Sequence, residues 1–279
     1  MRRTATGLRA AARTVAPALV VRVIMLVFVP GLAGCAASGS EVDPHRTGSS
    51  VERSSPVRAA ELNTRLGVGY LERGDLQVAM QKLELALRQD PKHVPAHMAL
   101  GIVYDTIGRE GKALEHLETA VRLAPEDGAA QNTYAALLCR TGRFAEADRH
   151  FRAALEDPFY GTPDVALANA GSCARRAGEL DKAERYLRRA IEIAPENRTA
   201  LYNLALVSFD QGEPLAARAF LQRLAAGGPL SPTALLLGVR VERALGSEAD
   251  AQEYARLLTK RFPDSPQASE LRQQNENDD

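Results

Sequence analysis

A triad of residues recurs six times in this chain: a glycine, an alanine five positions on, and a proline twelve after that. It reads Gly74–Ala79–Pro91, Gly108–Ala113–Pro125, Gly142–Ala147–Pro158, Gly178–Ala183–Pro195, Gly212–Ala217–Pro229 and Gly246–Ala251–Pro263. The step is 34 residues throughout, except 36 between the third and fourth copies, and the third proline falls one residue early. A fixed period of this size confines the chain to stacked units, because one unit cannot bury its apolar face alone. Only 5% of the residues are aromatic, and no alternating strand pattern accompanies the period, so the units are helical.

Numbering each copy from 1 to 34, the copies start at Ala60, Val94, Gly128, Asp164, Arg198 and Pro232. Position 15 is the glycine, where a first helix must stop and reverse through a left-handed residue. Position 20 is alanine in all six, and position 8 is small in most (Gly67, Gly101, Ala135, Gly171, Ala205), which lets two helices cross closely. The proline at position 32 ends the second helix. "LGVGY" (66–70) and "LGIVY" (100–104) resemble the Leu-Gly-x-x-Tyr core of tetratricopeptide repeats. The expected fold is an all-α tetratricopeptide-repeat solenoid, six helix-turn-helix repeats in a right-handed superhelix. The tryptophan of that consensus is absent; its slot at position 4 holds Asn63, His97 and Gln131, then leucines. The polar occupants predict looser packing in the first three copies. The repeats are expected over 59–270 and a frayed polar tail over 271–279.

The first 34 residues differ. They hold five arginines and no acid, then the apolar run Val23–Ala33, too short to span a bilayer as a helix. The run ends in Leu32-Ala33-Gly34-Cys35, which resembles a bacterial lipobox, and the segment 1–34 reads as a lipoprotein signal peptide. Cys35 is then the lipidated residue. With 35 basic and 35 acidic residues in the whole chain, loss of those five arginines leaves a net charge of −5. Multiple acyl chains give stable anchoring. Ala36 rather than an aspartate follows the cysteine, so the expected location is the outer membrane, facing the periplasm. The stretch 35–58 reads as a flexible tether with a reach of roughly 25 Å.

Cys139 and Cys173 lie on first helices of adjacent copies, in an oxidising compartment. A disulfide between them is one reading; two separate buried thiols is the other. His116 and His150 share position 23, where other copies hold Lys82, Tyr186, Phe220 and Tyr254, so packing outweighs a metal pair. There is no glycine-rich phosphate loop, nucleophile elbow or Cys-x-x-Cys motif, and hence no expected cofactor, metal or catalysis. Neither nucleic acid nor a small-molecule substrate is expected as a ligand.

First helices line the inner face of this fold. The candidate groove residues are Thr64, Val68, Leu71, Met98, Ile102 and Asp105 from copies one and two. Asn132, Arg140, Arg175 and Arg176 come from copies three and four, and Tyr202 and Phe209 from copy five. The N-terminal end is apolar. The middle carries arginines that either pair with a partner's carboxylates or sit solvated at helix ends.

Three strings go beyond a generic repeat: "AAELNTRLGVGYLERGDLQVAMQKLELAL" (59–87), "DPFYGTPDVALANAGSCARRAGELDKAERYLRRAIEIAP" (157–195) and "ALLLGVRVERALGSEADAQEYARLLTKRFPDSP" (234–266). With the lipobox, they resemble the PilF/PilW family of type IV pilus biogenesis lipoproteins. That resemblance implies a pilotin that binds the PilQ-like secretin and promotes its localisation and multimerisation. The alternative is a scaffold lipoprotein of a β-barrel assembly machine.

Overall fold

The computed structural model describes residues 55–278. Cys35, the signal segment and most of the tether lie outside the described residues. Twelve helices form six antiparallel pairs: α1 (Pro56–Glu72) with α2 (Leu76–Gln89), α3 (Val94–Thr106) with α4 (Glu110–Leu123), and α5 (Gly128–Arg140) with α6 (Phe144–Glu156). The series continues with α7 (Pro163–Arg176) and α8 (Leu180–Ile193), α9 (Arg198–Asp210) and α10 (Pro214–Ala226), and α11 (Pro232–Ala244) and α12 (Glu248–Arg261). A thirteenth helix, α13 (Pro266–Asp278), follows. No strand occurs among the described residues.

The turns are built as the period requires. The six repeating glycines all take positive φ, from 69° to 82°. The residue after each donates its N–H to the carbonyl five residues back, as in Asp75 to Tyr70 (2.9 Å) and Glu213 to Ser208 (2.8 Å). That bond satisfies a carbonyl the helix end would otherwise leave open.

Within a pair, position 24 sits in the space that position 8 leaves. A Cβ on Gly67 would lie 2.6 Å from Leu83 Cγ, and Gly101 and Gly171 face Leu117 and Leu187 in the same way. The last repeat changes the register: Tyr254 covers Gly238 instead. Between pairs, each first helix packs on the next first helix, whereas the backbones of consecutive second helices stay apart and only long side chains bridge them. The array therefore curves with first helices inside and second helices splayed outside. Leucines 83, 100, 117, 138, 167, 187, 204, 221, 235 and 258 run through its centre, fully buried.

Two expectations change. The segment after 270 is not a frayed tail: α13 continues as a helix because Ala268 and Leu271 bury on the sixth repeat. Arg240 pairs with Glu270, and Arg243 donates to Asn275 Oδ1 (2.7 Å). Nor are the first three repeats loose at position 4. His97 Nε2 donates to the Pro91 carbonyl (3.1 Å), Gln131 Nε2 to the Pro125 carbonyl (2.6 Å), and Asn63 Nδ2 to Gln89 Oε1 (2.9 Å). Hydrogen bonds replace the apolar bulk of the missing tryptophan: His97 and Gln131 reach the preceding inter-repeat loop, and Asn63 the end of its own repeat's second helix.

Two glycines on α1 separate the packing role from mere helix content. Gly67→Ala drives a methyl into Leu83 and should destabilise the protein by about 1–3 kcal/mol. Gly69→Ala meets nothing within 4 Å and should stabilise it by about 0.5–1 kcal/mol. Urea titrations of the two variants should move in opposite directions.

Candidate functional site

The inner face is set by the first helices. At its N-terminal end Val68, Leu71 and Met98 are half-buried against the core, and Ile102 is exposed. Tyr202 and Phe209 take the same half-buried place on the fifth repeat. Thr64 is a correction. It is 5% exposed and its hydroxyl donates to the Ala60 carbonyl (2.8 Å), so it presents nothing to a partner. Asn132 accepts from Asn169 Nδ2 (3.2 Å), joining repeats three and four.

The arginines are not a free cluster. Arg140 pairs with Asp105 of the preceding repeat, and Arg175 with Asp210 of the following one (2.8 Å). Arg176 lies over the Phe144 ring (5.8 Å to the centroid) and donates weakly to the Arg140 carbonyl (3.4 Å). These contacts link neighbouring repeats along the groove. A partner's carboxylate must therefore displace an internal one to reach Arg140 or Arg175. Beside them, Cys139 and Cys173 form a disulfide with Cα atoms 5.7 Å apart. It staples the third and fourth repeats where the period is irregular. There Tyr160 fills the space over Gly128, and Asp157 accepts from the N–H groups of Gly128 and Phe159 (2.9 and 2.8 Å).

One surface escapes the sequence reading. Positions 3 and 7 of the first helix face the preceding repeat. In repeat two, position 7 is Leu100, 1% exposed, and in repeat five it is Leu204, 0% exposed. The first repeat has no predecessor among the described residues. Leu62 and Leu66 are accordingly 51% and 43% exposed. Arg58 and Arg65, one helical turn away on either side, form no ion pair among the described residues. The opposite end of the array is closed by α13. The sequence signal was available: large apolar residues stand at positions whose burial depends on a preceding repeat, and none precedes them among the described residues.

The histidines form part of the interior. His116 Nδ1 approaches His97 Nδ1 at 3.0 Å, and His150 Nδ1 approaches Gln131 Oε1 at 2.6 Å. Since His97 Nε2 donates to a carbonyl, its Nδ1 in the neutral ring accepts, so the proton lies on His116 Nδ1. Both relays run from position 23 through position 4 to the proline carbonyl. Among the described residues, no group of three or more His, Cys, Asp or Glu is placed to hold a metal.

An array of paired helices with glycine turns, stacked into one core and offering surfaces rather than reacting groups, is a tetratricopeptide-repeat scaffold. Tetratricopeptide-repeat family models match residues 64–128 and 169–232, and 127–196. The chain is 26% identical to the type IV pilus assembly protein PilF of Pseudomonas aeruginosa, over 89% of this chain and 96% of that one. It superposes on the crystal structure of PilW, a widely conserved type IV pilus biogenesis factor, with a TM-score of 0.72 and 30% identity. That match covers 76% of this chain and 97% of PilW. The structure of Pseudomonas aeruginosa PilF superposes with a TM-score of 0.69 at 25% identity, over 78% of this chain and 99% of that one. The chain belongs to the PilF/PilW-type family of tetratricopeptide-repeat proteins.

Two measurements check the site's internal chemistry. Thiol titration of the unreduced, unfolded protein should find neither Cys139 nor Cys173 free. Reduction should cost about 3–4 kcal/mol of stability, for a loop closed across 34 residues. Separately, burial, reinforced by His97 or by Arg149 and Arg143, holds His116 and His150 below the usual imidazole value of 6.5. Glu115 and Glu84 oppose the shift at His116, Lys112 adds to it, and Glu146 opposes it at His150. Below that value the unfolded chain binds more protons than the folded one. Stability should be full above about pH 6.5 and fall as the pH drops below it, levelling once the folded histidines titrate. Urea midpoints measured across that range should lose part of this dependence in His116→Gln.

Proposed function

We propose that this protein is an outer-membrane lipoprotein of type IV pilus biogenesis that acts as a pilotin. It binds secretin subunits and promotes their localisation and multimerisation. The observation that carries the reading is the end-to-end match to two pilus biogenesis factors, 97% and 99% of whose lengths superpose on this array. Its surfaces fit the role. The mechanism is tethering: a lipid on Cys35 holds the repeats at the membrane, and the apolar first-repeat surface holds secretin segments at high local concentration. Leu62 and Leu66, continued by Val68, Leu71, Met98 and Ile102 around the same end, supply the apolar contact. The paired arginines of the middle groove supply rigidity rather than affinity. Among the described residues nothing resembles a nucleophile–base pair, and the reading needs no catalysis.

Leu66→Glu places a charge on an already exposed position, so folding should be unaffected and thermal unfolding unchanged. Secretin multimers should fall by roughly tenfold or more in cells carrying it, the loss expected on removing an apolar anchor. Cys35→Ser should leave multimers mislocalised. Normal multimers and surface pili in a deletion strain would refute the pilotin reading. Defects across many outer-membrane β-barrels would instead point to a barrel-assembly scaffold.

A further inference from the structure

The outer face carries a second surface that the pilotin reading does not use. Because second helices splay apart, grooves open between some of them on the outer face. The one between α6 and α8 has a volume of about 410 Å³ and is lined by Asp148, Arg152, Lys182, Arg185, Tyr186 and Arg189. Four cations and one carboxylate line it, and Lys182 pairs in addition with Glu179 beside the groove (2.9 Å). Asp148 sits on the floor, accepting from Tyr186 Oη (2.9 Å) and pairing with Lys182 (3.1 Å) and Arg152 (3.2 Å). Arg185 and Arg189 form no ion pair among the described residues, although both are exposed. Burial and the adjoining carboxylate push the Tyr186 hydroxyl above its usual value, so it stays a neutral donor.

At two second-helix positions the charge changes sign between the second repeat and the third. Position 25 is Glu84 and Glu118 in the first two repeats, then Arg152 and Arg188 in the third and fourth. Position 22 changes in the same way, from Gln81 and Glu115 to Arg149 and Arg185. The same two repeats are the ones joined by the disulfide and by the hydrogen-bonded loop around Tyr160. The groove's walls are therefore held at a fixed separation.

We infer that this outer groove docks an acidic peptide segment of a partner protein. Planar guanidinium groups match carboxylates in a bidentate fashion, and Arg185 and Arg189 have that capacity unused. A flat anionic membrane surface fits less well. Exposed Glu179 pairs with Lys182 (2.9 Å), and Asp181 lines the adjoining cavity with Lys182 and Arg185, so carboxylates stand beside these cations and would repel such a surface. A narrow chain lying between the helices reaches Arg185 and Arg189, while the Asp148 carboxylate is already engaged by Lys182, Arg152 and Tyr186.

The test is fluorescence anisotropy with labelled hexaglutamate and the full-length protein in nonionic micelles. Wild type should bind at low ionic strength and weaken as salt rises. Arg185→Glu/Arg189→Glu should bind at least about tenfold more weakly, by loss of two charge-assisted contacts and gain of repulsion. The milder Arg185→Gln/Arg189→Gln should fall between, and keeps the test valid if charge reversal disturbs folding. Arg88→Glu, an exposed reversal elsewhere on the outer face, should bind like wild type. Leu66→Glu should also bind like wild type, which separates this surface from the pilotin surface. Absence of salt-dependent binding, or equal binding by wild type and both double variants, overturns the inference. So does binding to phosphatidylglycerol vesicles that needs Arg185 and Arg189 while hexaglutamate fails to bind, because the groove would then read lipid.

Discussion

The seating of a large apolar side chain over a small residue at position 8, glycine in three repeats and alanine in two, underlies the rest of the architecture. With no side chain at Gly67, Gly101 or Gly171, the facing leucine drops onto the backbone and the two helices of a pair close together. The first helices then project far enough to pack backbone against backbone, while the second helices touch only through long side chains. Curvature follows from that inequality alone. So does the division of labour between an inner face of half-buried apolar residues and an outer face of open grooves. Where the seat changes, in the sixth repeat, the occupant changes with it: Tyr254 rather than a leucine covers Gly238.

Much of this was legible in the sequence because it is set locally. A glycine that must take positive φ, a proline that cannot continue a helix and an alanine at a crossing each act within a few residues, and 34-residue spacing repeats them in register. What was not legible depends on neighbours about one repeat away. Arg140 and Arg175 look like free cations until Asp105 and Asp210 are placed beside them by the stacking. Polar residues at position 4 look like defects until the preceding proline carbonyl arrives within reach of His97 and Gln131. The same holds for α13, whose composition is that of a tail. Two apolar residues, Ala268 and Leu271, suffice because the sixth repeat presents a ready face for them.

Exposure is likewise a property of the array and not of the residue. Leu66 and Leu204 occupy the same position in their repeats, yet one is open and the other sealed. Residue type alone does not reveal this, since Leu66, Leu100 and Leu204 are the same side chain; the place of the copy in the array does. The C-terminal end is closed by a half-repeat and the N-terminal end of the described array is not, so the two ends offer different chemistry to a partner.

That asymmetry bears on how a partner is held. Exchanging an internal carboxylate for an external one at Arg140 or Arg175 yields little net free energy, since one exposed ion pair replaces another. Affinity must then come from apolar area at the open end, where Leu62 and Leu66 already stand in water and removing them from it is favourable at about 25 cal/mol per Å². Exposed charges contribute differently: they set approach and orientation more than strength. A basic outer groove two repeats from the apolar end can therefore orient an acidic stretch of partner without binding it tightly. Under the proposed function, a scaffold built this way would hold its partner firmly at one place and loosely at another, which suits handing subunits on to a larger assembly.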